Sequence, residues 1–172
     1  ASLPCGLMRD LLTLDFSNSP GCKITGIDID NESLKLASKL AKSLGYENEL
    51  RFIQENAWDL HYSNEFNIIT SSGLNVYEPS RERTIQLYKL FLNALKENGL
   101  LVTSVLTYPP FCDKNTDWEV SSIEPEDLRL ERIIHHDILD VKWGNFRSIH
   151  DLKTDFYSAG FNKVEAILDS KK

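Results

Sequence analysis

The sequence predicts an α/β fold: a doubly wound, mostly parallel sheet with helices on both faces. Three observations predict it. Short apolar runs of strand character alternate with segments of helical spacing from Ala1 to about Leu106. Strands joined through helices pair in parallel by right-handed crossovers. An acid, Asp28, closes the second strand, and in an open parallel sheet the crevice beyond the carboxyl ends of the strands is where a ligand sits.

In order, Ala1-Ser2-Leu3 reads as the tail of a buried strand and Pro4-Cys5-Gly6 as the turn after it, while Leu7, Met8, Leu11, Leu12 and Phe16 fall at helical spacing. Lys23 to Ile27 is the second strand, ending at Asp28-Ile29-Asp30. A carboxylate at that place can accept hydrogen bonds from both hydroxyls of a ribose; the competing role for Asp28 is to cap the next helix, for which Asp30 is better placed. That helix runs from Asn31 to Leu44, with Leu34, Ala37, Ala41 and Leu44 on one face and Gly45 closing it. Leu50 to Gln54 is a short strand followed by Glu55-Asn56-Ala57-Trp58-Asp59, and Phe66 to Thr70 is a nearly continuous apolar run, expected to be buried on both faces.

After Ser71-Ser72-Gly73 and a loop to Pro79, Ser80 to Lys96 is helical, with Ile85, Tyr88, Leu92 and Leu95 on a face and Asn98-Gly99 at its end. Strand Leu100 to Leu106 follows, and Tyr108-Pro109-Pro110 stops it. A polar loop then leads to a helix opened by Glu124-Pro125 and ending near Leu139, with proline suited to the first helical position. Ser148-Ile149-His150-Asp151 resembles a capping box for a helix ending at Ala159-Gly160, and Lys163 to Leu168 is a last strand.

The 172 residues, 41% hydrophobic, suffice for one substantial core, so a single domain over 1–172 is expected, with a helical insertion at about 108–147. The net charge of -7 comes from 26 acidic and 19 basic side chains dispersed along the chain, which supplies no basic surface for a nucleic-acid backbone. No apolar run has the length of a membrane span. Cys5, Cys22 and Cys112 make neither a metal spacing nor a disulfide framework, which points to a reducing, cytoplasmic setting. His135 and His136 are neighbours on a helix and point apart, His61 and His150 are isolated, and no nucleophile elbow or phosphate-binding loop with its lysine is present.

ASLPCGLMRDLL followed by ITGIDIDNESLKLA resembles the opening of a class I S-adenosylmethionine-dependent methyltransferase. The resemblance implies a Rossmann-like sheet, S-adenosylmethionine as cofactor, and a cofactor site over Pro4, Cys5, Gly6, Asp28, Ile29, Asn56, Ala57, Trp58, Ser71, Ser72 and Gly73. Aligned on the helix start, the acid usual at the end of the first strand falls on Ser2 and the three loop glycines fall on Pro4, Gly6 and Met8. Only Gly6 is retained, which implies either a loop geometry of its own or a domain that no longer holds the cofactor. The acid that reaches the adenine amino group falls on Asn56, whose side-chain carbonyl can also accept. Trp58 either covers the adenine face or belongs to the core.

The stretch Ser71 to Pro79 is similar to the family's loop facing the methyl acceptor, so Asn75, Tyr77 and Glu78 either line that site or cap the next helix. It lacks the Asn-Pro-Pro-aromatic sequence of the enzymes that methylate nucleic-acid amino groups, which argues against a base as acceptor; a small molecule is the expected acceptor. The segment from Tyr108 to Arg147 leaves the sheet at its carboxyl edge and is expected to form a lid or wall of the acceptor pocket, with Tyr108, Phe111, Trp118, Trp143 and Phe146 either contacting the acceptor or docking the extra helix. The resembled fold has a further antiparallel strand, so the chain reads as a segment of a longer protein. Two other functions fit the same strand-end acid: an NAD-dependent oxidoreductase, which needs the full G-x-G-x-x-G turn, and a binding domain that keeps the fold without catalysis.

Overall fold

The computed structural model describes residues 1–14, 21–46, 48–110, 112, 116–118, 121 and 123–167. They form two compact units, Ala1–Leu74 with Gln86–Ser104, and Asn75–Ile85 with Val105–Lys172.

The first unit is built on a parallel sheet. Strand β1 (Ile24–Asp28) pairs with β2 (Leu50–Gln54) in a register that sets Ile24 against Leu50 and Asp28 against Gln54. Strand β3 (Phe66–Ser71) pairs with β4 (Leu95–Thr103). Residues 1–3 join the two pairs: Ser2 bridges Gly26 on one side and Thr70 on the other, both in parallel. The Ser2 amide donates to Thr25 O and the Leu3 amide to Thr70 O, both at 2.9 Å. The order is therefore β2, β1, residues 1–3, β3, β4, and the chain reverses its direction of travel across the sheet beside residues 1–3. Gly26 suits this crowded centre, because a Cβ there would stand 2.8 Å from the Phe52 ring and 3.0 Å from Cys5 Sγ.

Helix α1 (Arg9–Leu12) is shorter than the expected run toward Phe16, which lies outside the described residues. Helix α2 (Asn31–Ser43) begins where expected, because Asp30 accepts from the amides of Glu32 and Ser33. It buries Leu34, Ala37 and Ala41, while Leu44, expected on that face, is exposed one residue past the helix end. Its partners are Cys5, Met8, Leu12 and Ile24, which close one side of the sheet.

Helix α3 (Arg81–Ala94) starts at the Ser80 hydroxyl, which accepts from the Arg83 amide. Its buried face is Thr84, Leu87, Tyr88, Phe91 and Ala94; of the expected Ile85-Tyr88-Leu92-Leu95 stripe, Tyr88 and Leu95 are buried and Ile85 and Leu92 only half-buried. The helix also stops sooner than expected, and Leu95 already pairs with Phe66. The ladder then breaks, with Lys96 to Gly99 set against Asn67 and Asn98 at a φ of 60°, and resumes with Ile68 opposite Leu100. The strand ends at Thr103, short of the expected Leu106. The expectation that β3 is buried on both faces is also corrected: Ile68 is 51% exposed beside Leu100 at 55% and Val102 at 51%. These three share one face of β3 and β4 that no described element covers.

In the second unit, helix α4 (Pro125–Arg132) has proline at its first turn and continues into a π-helical turn, Ile133–Ile138, in line with the expected end near Leu139. Helix α5 (Ile149–Ala159) is capped by Ser148, whose hydroxyl accepts from the Asp151 amide at 3.1 Å and donates to the Asp151 carboxylate at 2.8 Å. Gly160, at a φ of 110°, ends it. Its buried Asp155 receives Arg81 at 2.6 Å. The expected strand from Lys163 is absent over 163–167, and Ile167 is 88% exposed; Leu168 lies outside the described residues. Alternating hydrophobicity supplies no ladder partner, and a strand exists only with one.

Candidate cofactor pocket and acceptor-side aromatics

The carboxyl ends of residues 1–3, β1 and β2 converge on a pocket of about 270 Å³ in the first unit, lined by Pro4, Ile27, Asp28, Ile29, Glu55, Asn56, Ala57, Trp58 and Leu74. Six of the residues the sequence singled out, Pro4, Asp28, Ile29, Asn56, Ala57 and Trp58, are thus brought together. The parallel register explains it: Asp28 faces Gln54 across the ladder, so the residues following β1 and β2 emerge at the same level. The Glu55 amide donates to Asp28 O at 3.0 Å and extends that alignment by one residue.

Asp28 is buried, and its carboxylate is held from two directions. Oδ2 accepts from the Gly6 amide at 2.8 Å and Oδ1 from the Asp30 amide at 2.9 Å. Asp28 therefore does not cap α2; Asp30 does, and the Ser33 hydroxyl with the amides of Glu32 and Ser33 holds the Asp30 carboxyl below its ordinary value. Each Asp28 oxygen retains acceptor capacity beyond one bond.

The turn that reaches Asp28 has unusual backbone. Gly6 has a φ of 49°, a region natural to glycine, and apart from its chain neighbours no described atom lies within 4 Å of where its Cβ would be. Met8 has a φ of 54° while its side chain is buried in the core. The backbone at Met8, where the sequence aligns a family glycine, therefore keeps a glycine-like conformation without the glycine. Cys5 also turns its side chain into that core, beside Met8 and Leu12.

Asn56 caps the single 3₁₀ turn Ala57–Asp59: its Oδ1 accepts from the Trp58 amide at 3.1 Å and its Nδ2 donates to Asp59 at 3.0 Å. Glu55 was not singled out by sequence, although it follows β2 as Asp28 closes β1. Its Oε2 accepts from the Tyr62 hydroxyl at 3.0 Å, and burial, followed by this contact, raises the Tyr62 pKa. Ser71, Ser72 and Gly73 do not line the pocket. Ser104 gathers them, its amide donating to Ser71 O at 3.2 Å and its hydroxyl meeting Ser72 Oγ at 3.3 Å and the Gly73 amide at 3.1 Å.

The expected acceptor residues all belong to the second unit. Asn75 is buried and its carbonyl accepts from Asn145 Nδ2 at 2.8 Å, whereas Tyr77 is exposed. Glu78 is tied to the start of α3, accepting from the Ser80 amide at 3.0 Å and from Arg83 at 2.7 Å. Leu106 bridges Phe146, the Phe146 ring lies 6.2 Å from Tyr108, and the Trp118 indole donates to Thr107 at 2.9 Å. Tyr108, Trp118 and Phe146 thus gather on the segment 106–108. Trp143 instead stacks on His135 at 4.8 Å, and Phe111 lies outside the described residues.

A family model described as a methyltransferase domain matches residues 3–164. The chain belongs to this methyltransferase family. The methyltransferase domain is similar to the crystal structure of a possible exported protein from Bordetella parapertussis, with 36% identity and a TM-score of 0.88 over 94% of this chain and 54% of that one. It also shares its fold with the S-adenosylmethionine-dependent methyltransferase SibL in its apo form, at 15% identity and a TM-score of 0.70 over 99% of this chain and 46% of that one. The YcgJ protein from Bacillus subtilis is a further likeness, at 19% identity and a TM-score of 0.62 over 92% of this chain and 59% of that one. The methyltransferase domain thus spans about half the length of these proteins. No curated protein matches it in sequence. The fold is the Rossmann-like α/β sheet of the class I S-adenosylmethionine-dependent methyltransferases. Among the described residues no helix is long and apolar enough to cross a membrane.

Proposed function

We propose that this domain binds S-adenosylmethionine in the pocket at Asp28 and transfers its methyl group to a small-molecule acceptor. The observation that carries this reading is the Asp28 carboxylate, buried at 8% exposure yet lining the pocket, with two amides orienting it and lone pairs left for the ribose hydroxyls. The walls suit the cofactor. Pro4, Ile27, Ile29, Ala57, Trp58 and Leu74 offer apolar surface for a purine, and Asp28, Glu55 and Asn56 are the few polar groups in the lining. A volume of about 270 Å³ matches the adenosine part alone, and the Ser71-Ser72-Gly73 turn is assigned to the methionine part.

When bound, S-adenosylmethionine supplies a methyl group already activated by positive sulfur, so alignment of the acceptor nucleophile with the S–CH₃ bond is most of the catalytic task. In this domain Asp28 orients the ribose, Gly6 brings the backbone in without a side chain, and Trp58 covers the purine. The aromatic group Tyr108, Trp118 and Phe146, with Asn75 and Tyr77, is assigned to the acceptor. A reducing, cytoplasmic setting belongs to the same reading, supported by three cysteines none of which is in a disulfide.

One observation favours a second reading, a nucleotide-binding domain without catalysis: Pro4 and Met8 occupy two of the three glycine positions of the cofactor turn. Calorimetric titration with S-adenosylmethionine, S-adenosylhomocysteine and NAD tests both. Binding of the first two and not of NAD supports the proposal. Binding without methyl transfer to any of a panel of small nucleophiles favours the second reading, and NAD binding alone refutes the methyl-transfer proposal.

A further inference from the structure

Two consecutive carbonyls of the 3₁₀ turn Asn75–Tyr77 are held by Gly144 and Asn145, far along the chain. The Gly144 and Asn145 amides both donate to Val76 O, at 3.0 and 3.2 Å, and Asn145 Nδ2 donates to Asn75 O at 2.8 Å. Nδ2 also donates to Thr84 Oγ1 at 3.2 Å, while the Thr84 hydroxyl donates to Ser80 O at 3.0 Å. Asn75 O is an acceptor only, so the NH₂ faces it and a flip of the Asn145 amide is excluded. Asn145 is 4% exposed, and its Oδ1 meets no donor among the described residues. Buried acceptors are almost always paired, and an unpaired one costs stability that an apolar side chain of the same shape would not lose. The next two residues hold a different element: Phe146 bridges Leu106, and the Arg147 amide donates to Leu106 O at 3.1 Å. Residues 144–147 thus fasten the turn that carries Tyr77 to the segment 106–108, whose Tyr108 ring lies 6.2 Å from that of Phe146.

We propose that Asn145 is a positioning residue for the methyl acceptor: it fixes the turn Asn75–Tyr77 relative to Phe146 and Tyr108, so that the residues assigned to the acceptor keep one spacing. The inference rests on that assignment in the methyltransferase reading. Asn145 is buried and acts through the turn it holds. Its NH₂ supplies what leucine cannot, two donors for acceptors on the turn and on α3, and the unpaired Oδ1 is what that geometry costs. Alignment of the acceptor with the S–CH₃ bond is the main catalytic task, so a turn free to shift is felt in acceptor binding first.

The test labels the unaltered protein, Asn145→Leu, Asn145→Ala and Thr84→Val with 3-fluorotyrosine and reads them by fluorine NMR, with S-adenosylhomocysteine affinity measured by calorimetry. Asn145→Leu and Asn145→Ala shift or split the Tyr77 and Tyr108 resonances. Tyr46 and Tyr62, in the first unit, keep theirs, and S-adenosylhomocysteine affinity stays within about threefold. Thr84→Val, which leaves Asn145 in place and removes one of its acceptors, gives the same displacement at smaller amplitude and decides the matter if the Asn145 variants do not fold. For an acceptor found in the panel of small nucleophiles, the Asn145 variants raise its KM roughly tenfold, whereas mere loss of folded protein lowers kcat at unchanged KM. Retention of the Tyr77 and Tyr108 resonances and of acceptor KM in Asn145→Leu shows that the residue only fills space. That result, or a fall in kcat alone, overturns the inference while leaving the cofactor assignment standing. Failure of the unaltered protein to bind S-adenosylhomocysteine, or to methylate any of the panel, removes the methyltransferase reading and the acceptor role of Asn145 with it.

Discussion

The Gly6 amide donates to Asp28 Oδ2 at 2.8 Å, across twenty-two residues of chain. One carboxylate thereby shapes the turn after residues 1–3 and lines the pocket. Asp28→Ala removes both functions, whereas Asp28→Asn removes the charge and one of the two acceptors that hold the Gly6 and Asp30 amides. Calorimetry on Asp28→Ala is expected to show cofactor affinity weakened by roughly 1–3 kcal/mol, with Asp28→Asn between it and the unaltered protein. Unchanged affinity in a folded Asp28→Ala variant rules out the ribose assignment.

Met8 sets two effects against each other. Its left-handed backbone costs an L-residue about 1–2 kcal/mol, and its side chain is almost wholly buried. Truncating a buried methionine costs about 2–5 kcal/mol, so packing wins and both truncations destabilise. Met8→Gly relieves the backbone strain and Met8→Ala does not. Urea denaturation should therefore rank the unaltered protein first, Met8→Gly second and Met8→Ala last, the reverse of the usual alanine-over-glycine order in helices.

Asp30 gives the fold an acid-sensitive element. Its folded pKa lies below the ordinary 3.8 because it accepts from Ser33 and from the amides of Glu32 and Ser33. A depressed carboxyl contributes stability that is fully present above the unfolded pKa and is lost as pH falls through the folded one. Asp30→Asn keeps a capping oxygen without the titration. Melting curves of the two proteins should run parallel near neutrality and converge below pH 3.8, where only the unaltered protein loses this contribution.

Trp118 and Phe146 separate acceptor binding from scaffolding. With an acceptor in hand, Trp118→Ala and Phe146→Ala are each expected to raise its KM roughly tenfold, the equivalent of about 1.4 kcal/mol, with cofactor affinity unchanged. Joint loss of cofactor binding and of melting temperature in both variants would mark the aromatics as packing for the segment 106–108.

The elements legible in the sequence are those that local chemistry specifies. Asp30 before Asn31 and Gly45 after Leu44 bracket α2 because a carboxylate accepts from two of the orphan amides at the helix start and a glycine can take a φ of 82°. Leu50–Gln54 coincides with its expected bounds, and Asp28 stands at a strand end where the crevice rule puts a ligand-facing acid. The family signal in the first thirty residues also survives the loss of two glycines, since the backbone at Met8 still follows the conformation a glycine would take.

Only the tertiary structure decided what depends on a distant partner. Asn56 looked open to a ligand until Trp58 and Asp59 claimed its amide, and nothing in the sequence joins Glu55 to Tyr62, whose hydroxyl holds its carboxylate. The buried face of α3, the break of β4 opposite Asn67, and the absence of a strand over 163–167 have the same origin. Periodicity states which side chains prefer burial, whereas ladder register and hydrogen-bond pairing are settled between segments that only folding brings together.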